Sequence, residues 1–137
     1  MIGNLSTQID LRCWMHSAAA GVDTSAAATS AIDTGEYSRA LIALNFGTVA
    51  DGGKCALTVK GSETESGTYS KIAEIAAETP TANKAWALDV PCNMRYLKIE
   101  YQRTGANVTI EGGTLMLYDG KRVPADGMGD VVKRIVI

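Results

Sequence analysis

The chain has little of what catalysis, metal binding and membrane insertion require. It holds a single histidine, His16, so histidine-dependent acid–base or nucleophilic chemistry has one residue to use, and that residue sits beside Met15 in a strand-like stretch rather than behind a nucleophile loop. Three cysteines, Cys13, Cys55 and Cys92, are an odd number at wide spacing, which favours free thiols buried in a core over a disulfide framework. Cys13 and His16 form a C-x2-H pair, but residues three apart on a strand face opposite ways, so zinc would need Cys55 and Cys92 to converge on them. No GxxxxGK[ST] loop is present, and Gly127-Met128-Gly129 lacks the rest of a dinucleotide fingerprint. Neither a metal nor a cofactor is expected.

Charge is equally unconcentrated. Thirteen basic residues oppose fifteen acidic ones, and the largest basic clusters are the pairs Lys121-Arg122 and Lys133-Arg134, so the cationic face that would neutralise nucleic-acid phosphates is missing. No run approaches the roughly 20 apolar residues of a membrane-spanning helix. Asn4, Ser6, Thr7, Gln8 and Asp10 break up the start of the chain where a secretion signal would need an apolar run, and synthesis in the cytosol is the expectation. Glu63, Glu65, Glu74 and Glu78 fall in and beside a polar loop, where solubility explains them.

What remains is a composition of 46% hydrophobic and 20% charged residues over 137 positions, that of one globular domain able to fold without a metal or disulfide. Helix signals are poor and strand signals frequent. Residues 9–18 alternate Ile9, Leu11, Cys13 and Met15 against Asp10, Arg12, Trp14 and His16. Residues 20–35 are rich in Ala, Ser and Thr and read as a loop or broken extended stretch, with a short helix the alternative. Residues 38–49 form an apolar strand ending at Asp51-Gly52-Gly53, and 54–62 place Cys55, Leu57 and Val59 on one face, which suggests a hairpin. Residues 69–76 carry Tyr69, Ile72 and Ile75 at spacings that suit a helical turn or a short edge strand, and the edge strand is preferred.

Residues 85–90 set Trp86, Leu88 and Val90 on one side. Residues 95–104 alternate Leu97, Ile99 and Tyr101 against Tyr96, Lys98, Glu100 and Gln102 before a turn at Thr104–Asn107 and a return through Val108 and Ile110. Gly112-Gly113 permits a bulge or a sharp bend, and 114–118, apolar on both sides, reads as a central strand. The sum is an all-β domain over 1–122, a single sandwich or jelly-roll-like unit of about eight antiparallel strands, followed by an extended C-terminal arm over 123–137. That arm carries Pro124, Gly127 and Gly129 and then VVKRIVI, a strong β-former able to complete its own sheet or to pair with a neighbour's edge. Val131, Val132, Ile135, Val136 and Ile137 are therefore the candidate partner-binding residues, with Lys133 and Arg134 guarding against uncontrolled aggregation.

Three stretches resemble the small β-sandwich decoration and head–tail accessory proteins of tailed phages and prophages: IDTGEYSRALIALNFGTVADGG (32–53), GSETESGTYSKIAEI (61–75) and MRYLKIEYQRTGANVTIEG (94–112). The resemblance implies a non-enzymatic virion protein on the capsid surface that binds the major capsid protein and neighbouring copies of itself, as a homo-oligomer for which a trimer on local three-fold axes would fit. It assigns no catalytic, metal or cofactor residue. A tail or neck component fits the same residues, and a carbohydrate-binding sandwich using Trp14, Trp86, Tyr96 and Tyr101 is the rival of a different class.

Overall fold

A computed structural model describes residues 8–120. Ten strands follow one another: β1 (Asp10–Met15), β2 (Ala18–Gly21), β3 (Ala27–Ala28), β4 (Ile32–Asp33), β5 (Tyr37–Val49), β6 (Lys54–Ser62), β7 (Ser70–Glu78), β8 (Ala85–Pro91), β9 (Tyr96–Thr104) and β10 (Val108–Gly120). All pairings are antiparallel, and no helix occurs among the described residues. The first sheet runs β1-β10-β5-β8, with β2 also on β10; the second runs β3-β9-β6-β7, with β4 also on β9. The all-β sandwich expected from the strand periodicity is the observed architecture. The strand count rises because 20–35 is a broken extended stretch that supplies half of β2 and all of β3 and β4.

The alternation that marked the strands also builds the core. Cys55, Leu57, Val59, Leu97 and Ile99 from one sheet meet Ala40, Ile42, Leu44, Leu115 and Leu117 from the other, and every one of these is fully enclosed. Burying a side chain of Leu, Ile or Val size contributes about 1.5–3 kcal/mol, so this layer is what holds the sheets face to face.

Two expected hairpins are absent. β5 and β6 lie in different sheets, as do β9 and β10, so the turns at Asp51–Gly53 and Gly105–Asn107 are arches that carry the chain from one layer to the other. A tight turn between two strands that each bury one face allows pairing side by side or folding face to face, and the local residues do not choose. The two arches support each other: Ala50 N–H donates to the Asn107 carbonyl at 2.9 Å, and Gly52 and Gly105 take φ of +82° and +80°. A Cβ on Gly105 would overlap the Gly52 carbonyl.

The bulge predicted at Gly112-Gly113 is present. Ile110 pairs with Phe46 and Gly112 with Asn45, which leaves Glu111 as an extra residue in β10. Inward residues are Val108 and Ile110 before it and Gly113, Leu115 and Leu117 after it, so the extra residue shifts the phase of alternation and keeps both halves of a 13-residue strand facing the core. β10 is central, between β1 and β5.

β1 reverses the expected faces. Asp10 pairs with Leu117 and Arg12 with Leu115, so these polar residues and Trp14 lie on the core side, while Leu11 and Cys13 face out. Asp10 is tolerated there, at 3% exposure, because Arg12 two residues along on the same face bonds it at 2.6 Å. Trp14 crosses above Gly113, where any Cβ would overlap the indole, and donates its ring N–H to the Ala43 carbonyl at 3.0 Å. Cys13 is thus exposed rather than buried, Cys92 is half-buried, and Cys55 is enclosed, its thiol pushed up to about 11 chiefly by burial.

Candidate interaction surfaces

The two outward faces of the sandwich differ in chemistry. On the β3-β9-β6-β7 sheet, the rows that cross β9 and β6 read Tyr96 with Ser62, Lys98 with Lys60, Glu100 with Thr58, and Gln102 with Ala56. Lys60 pairs with Glu100 at 3.1 Å, Lys71 pairs with Glu74 at 2.8 Å, and the Lys98 ammonium lies 4.5 Å from the centre of the Tyr69 ring. This is a polar surface on which three lysines stand with two glutamates.

The β1-β10-β5-β8 sheet presents something else. One cross-strand row reads Leu11, Met116, Leu41, Asp89, and the next reads Cys13, Thr114, Ala43, Ala87. Paired residues in an antiparallel sheet share a face, so the two rows form a largely apolar strip four strands wide, with Leu11, Met116 and Leu41 partly buried and Asp89 as its single charge. Asp89 is itself engaged: Tyr118 O–H donates to its carboxylate at 2.6 Å, and Arg39 Nε donates at 3.1 Å. The Tyr118 hydrogen bond and then Arg39 hold the Asp89 carboxyl below the usual carboxylate range, while that same bond to Asp89 raises the Tyr118 hydroxyl. The trio fastens β5, β8 and β10 at the end of the sheet where β10 stops at Gly120.

The sheet edges differ too. β7 is bulged twice against β6 and carries Lys71, Glu74 and Glu78, features that discourage pairing with another strand. β8 keeps unbroken register with β5 over all seven residues, from Ala85 opposite Asn45 to Pro91 opposite Arg39. Phe46 N–H donates to Lys84 and Cys92 N–H to Ser38, which fixes the even-numbered residues of β8 as those bonded to β5. Ala85, Ala87 and Asp89 therefore turn their backbone N–H and C=O groups outward. Among the described residues no backbone group bonds to them, and the Asp89 carbonyl accepts from the Arg39 side chain at 3.3 Å.

A hollow of about 90 Å³ opens between β1 and β3, lined by Trp14, Met15, Ala27, Thr29 and Tyr101. Ligand pockets for drug-sized molecules run to roughly 300–1,000 Å³, so this one has room for a side chain or a few waters.

The residues singled out from sequence are placed as follows. Val131, Val132, Ile135, Val136 and Ile137, with the whole arm over 123–137, lie outside the described residues. Cys13 faces solvent and Cys55 the core, so the cysteines do not converge with His16, and no group of three metal-ligating side chains occurs among the described residues. The four aromatics considered for a sugar platform do not share a surface: Trp14 meets Tyr101 at 6.3 Å, Trp86 packs on Phe46 at 4.8 Å, and Tyr96 faces outward on the opposite sheet with the Arg95 guanidinium 5.2 Å from its ring. Sequence reading missed the Arg39–Asp89–Tyr118 trio and the β8 edge. The members of the trio are 29 to 79 residues apart in the chain, and only pairing brings them together.

No family model matches the chain, and no curated protein does. Solved structures do share its fold. A chain in the structure of infectious bursal disease virus, Gx strain, matches 86% of this chain with a TM-score of 0.52 and 14% identity. One from the Gt strain matches 85% with a TM-score of 0.52 and 11% identity. This chain spans about a third of the length of each, 35% and 33%.

Proposed function

We propose that this chain is a structural protein of a virus particle that acts by binding other protein subunits, and that it decorates the capsid of a tailed phage. The observation that carries the reading is the contrast between the outward faces: one sheet shows charge to water, and the other shows a largely apolar strip of the kind that subunits bury against one another. The sandwich it shares with chains in structures of infectious bursal disease virus supports the virion assignment, and the sequence resemblance over 32–112 supports the phage and the decoration role. In this reading the protein is not an enzyme. Several of its charged side chains pair between distant segments, as Asp33 does with Arg95 at 3.0 Å and Asp23 with Arg103 at 2.9 Å.

The shell's major protein and neighbouring copies are the partners, met by the sandwich and by the arm, with Val131, Val132, Ile135, Val136 and Ile137 entering a neighbour's sheet. Quantitative mass spectrometry of gradient-banded particles tests this. A copy number equal to the major shell protein, or a simple icosahedral fraction of it, is expected. A handful of copies moves the protein to the neck or tail, and absence from particles overturns the virion reading.

A further inference from the structure

β8 is a sheet edge that no other strand covers among the described residues. Natural sheets guard their edges with charge, proline or bulges, and β7 does so along its length, whereas β8 carries Asp89 and Pro91 only at its C-terminal end and leaves Ala85 and Ala87 unguarded in unbroken register with β5. Neither alanine is bulky enough to keep another backbone away. Ala85 and Ala87 present two N–H and two C=O groups in the spacing that an added antiparallel strand requires.

We infer that the β8 edge is the acceptor for the C-terminal strand, residues 131–137, of a second copy of this chain; the inference rests on the reading of the protein as a self-associating structural subunit. Three features select this occupant. VVKRIVI is seven residues long, matching the seven registered residues of β8. Its charges, Lys133 and Arg134, are both cationic, and the charged side chain on β8 is the acidic Asp89, which Arg39 already pairs at 3.1 Å. The third feature is reach. β10 ends at Gly120 two strands from β8, a gap of about 10 Å. The ten residues from 121 to 130 can extend about 33 Å, far more than a return to the chain's own sheet needs, and enough to cross to an adjoining subunit. Val, Ile and Val side chains of the incoming strand would then flank Ala85 and Ala87 on the outer side and Trp86 and Leu88, both partly exposed, on the inner side.

The test uses the full-length chain and two complementary variants. Ala87→Pro removes an outward N–H and leaves the bonds to β5 intact; Val136→Asp spoils the arm and leaves the edge intact. Analytical ultracentrifugation should show wild type associating with concentration and each variant alone associating roughly tenfold more weakly or not at all. An equimolar mixture should recover association, because the intact arm of Ala87→Pro chains meets the intact edge of Val136→Asp chains. Ala87→Lys, which adds a charge and keeps the backbone, should behave as Ala87→Pro does, and covers the case in which the proline variant fails to fold. Wild-type association by both edge variants overturns the β8 assignment, and a monomeric wild type whose 131–137 amides are protected from exchange overturns the second copy as donor. These outcomes are separable from the virion reading: association through β8 with absence from particles removes the virion role alone, and presence in particles with unaffected edge variants removes the β8 acceptor alone.

Discussion

The Arg103 guanidinium grips the Asp23 carboxylate through two parallel bonds, Nε to Oδ2 at 2.9 Å and Nη2 to Oδ1 at 3.0 Å, and Arg103 is only 7% exposed. Its remaining nitrogen, Nη1, donates to the carbonyls of Ala19 and Val108 at 2.7 and 2.9 Å, and the Arg103 backbone N–H donates to Asp23 Oδ2 at 2.8 Å. One side chain of β9 thereby ties the second sheet to β2 and β10 of the first, at the point where the chain passes from β2 to β3.

Breaking that grip should be costly from either side. Asp23→Ala leaves a buried guanidinium without its counter-charge and should destabilise the fold by about 3 kcal/mol in urea titration. Arg103→Met, which fills the space and removes both charges' need for each other only when combined with Asp23→Ala, should in that double variant recover part of the loss.

The same pair sets a pH dependence. The side-chain hydrogen bonds from Arg103 lower the Asp23 pKa beneath its ordinary value of 3.8. A carboxyl whose folded pKa is depressed stabilises the fold above its unfolded pKa and loses that contribution as pH falls through the folded one. The stability gap between wild type and Asp23→Asn should therefore be constant from neutral pH down to about 5 and close below about 4. A gap that persists unchanged at pH 2 would show that the carboxylate's charge is not what Arg103 uses.

The three thiols should separate by reactivity. Cys13 faces solvent, whereas Cys55 is enclosed with its thiol raised to about 11, so at pH 8 a disulfide-exchange reagent should modify Cys13 quickly and Cys55 only on unfolding. Cys13→Ser should remove the fast phase and leave the total released by denaturant one thiol lower.

Gly105→Ala should destabilise by about 2–4 kcal/mol, combining a left-handed backbone that resists a Cβ with overlap against the facing arch. Gly52→Ala shares the positive φ but has open space around its Cβ, so it should cost about 1–2 kcal/mol. Equal costs in thermal melts would mean that the arches do not press on one another.

How much of this could be read from the chain follows from the range of each interaction. Alternation along a single strand is a local signal, and it placed Leu97, Ile99 and Tyr101 of β9 and Cys55, Leu57 and Val59 of β6 on their inward faces. It failed in β1, because Asp10 and Arg12 neutralise each other on the core side and Trp14 needs the gap above Gly113, a residue about 100 positions away. It also could not tell an arch from a hairpin at Gly52 or Gly105, since both use the same turn chemistry. The proposed acceptor was not legible, because the edge position of β8 among the described residues depends on pairings between strands far apart in the chain.

The bulge in β10 has a consequence for how this chain can change length. Glu111 is the extra residue of that strand, so a deletion at the Glu111–Gly112 joint would restore plain alternation and leave Val108, Ile110, Gly113, Leu115 and Leu117 all pointing inward. A one-residue loss within 113–117 would turn part of that row inside out. For a descendant sequence, that joint is the single splice at which β10 can shed a codon and keep its core.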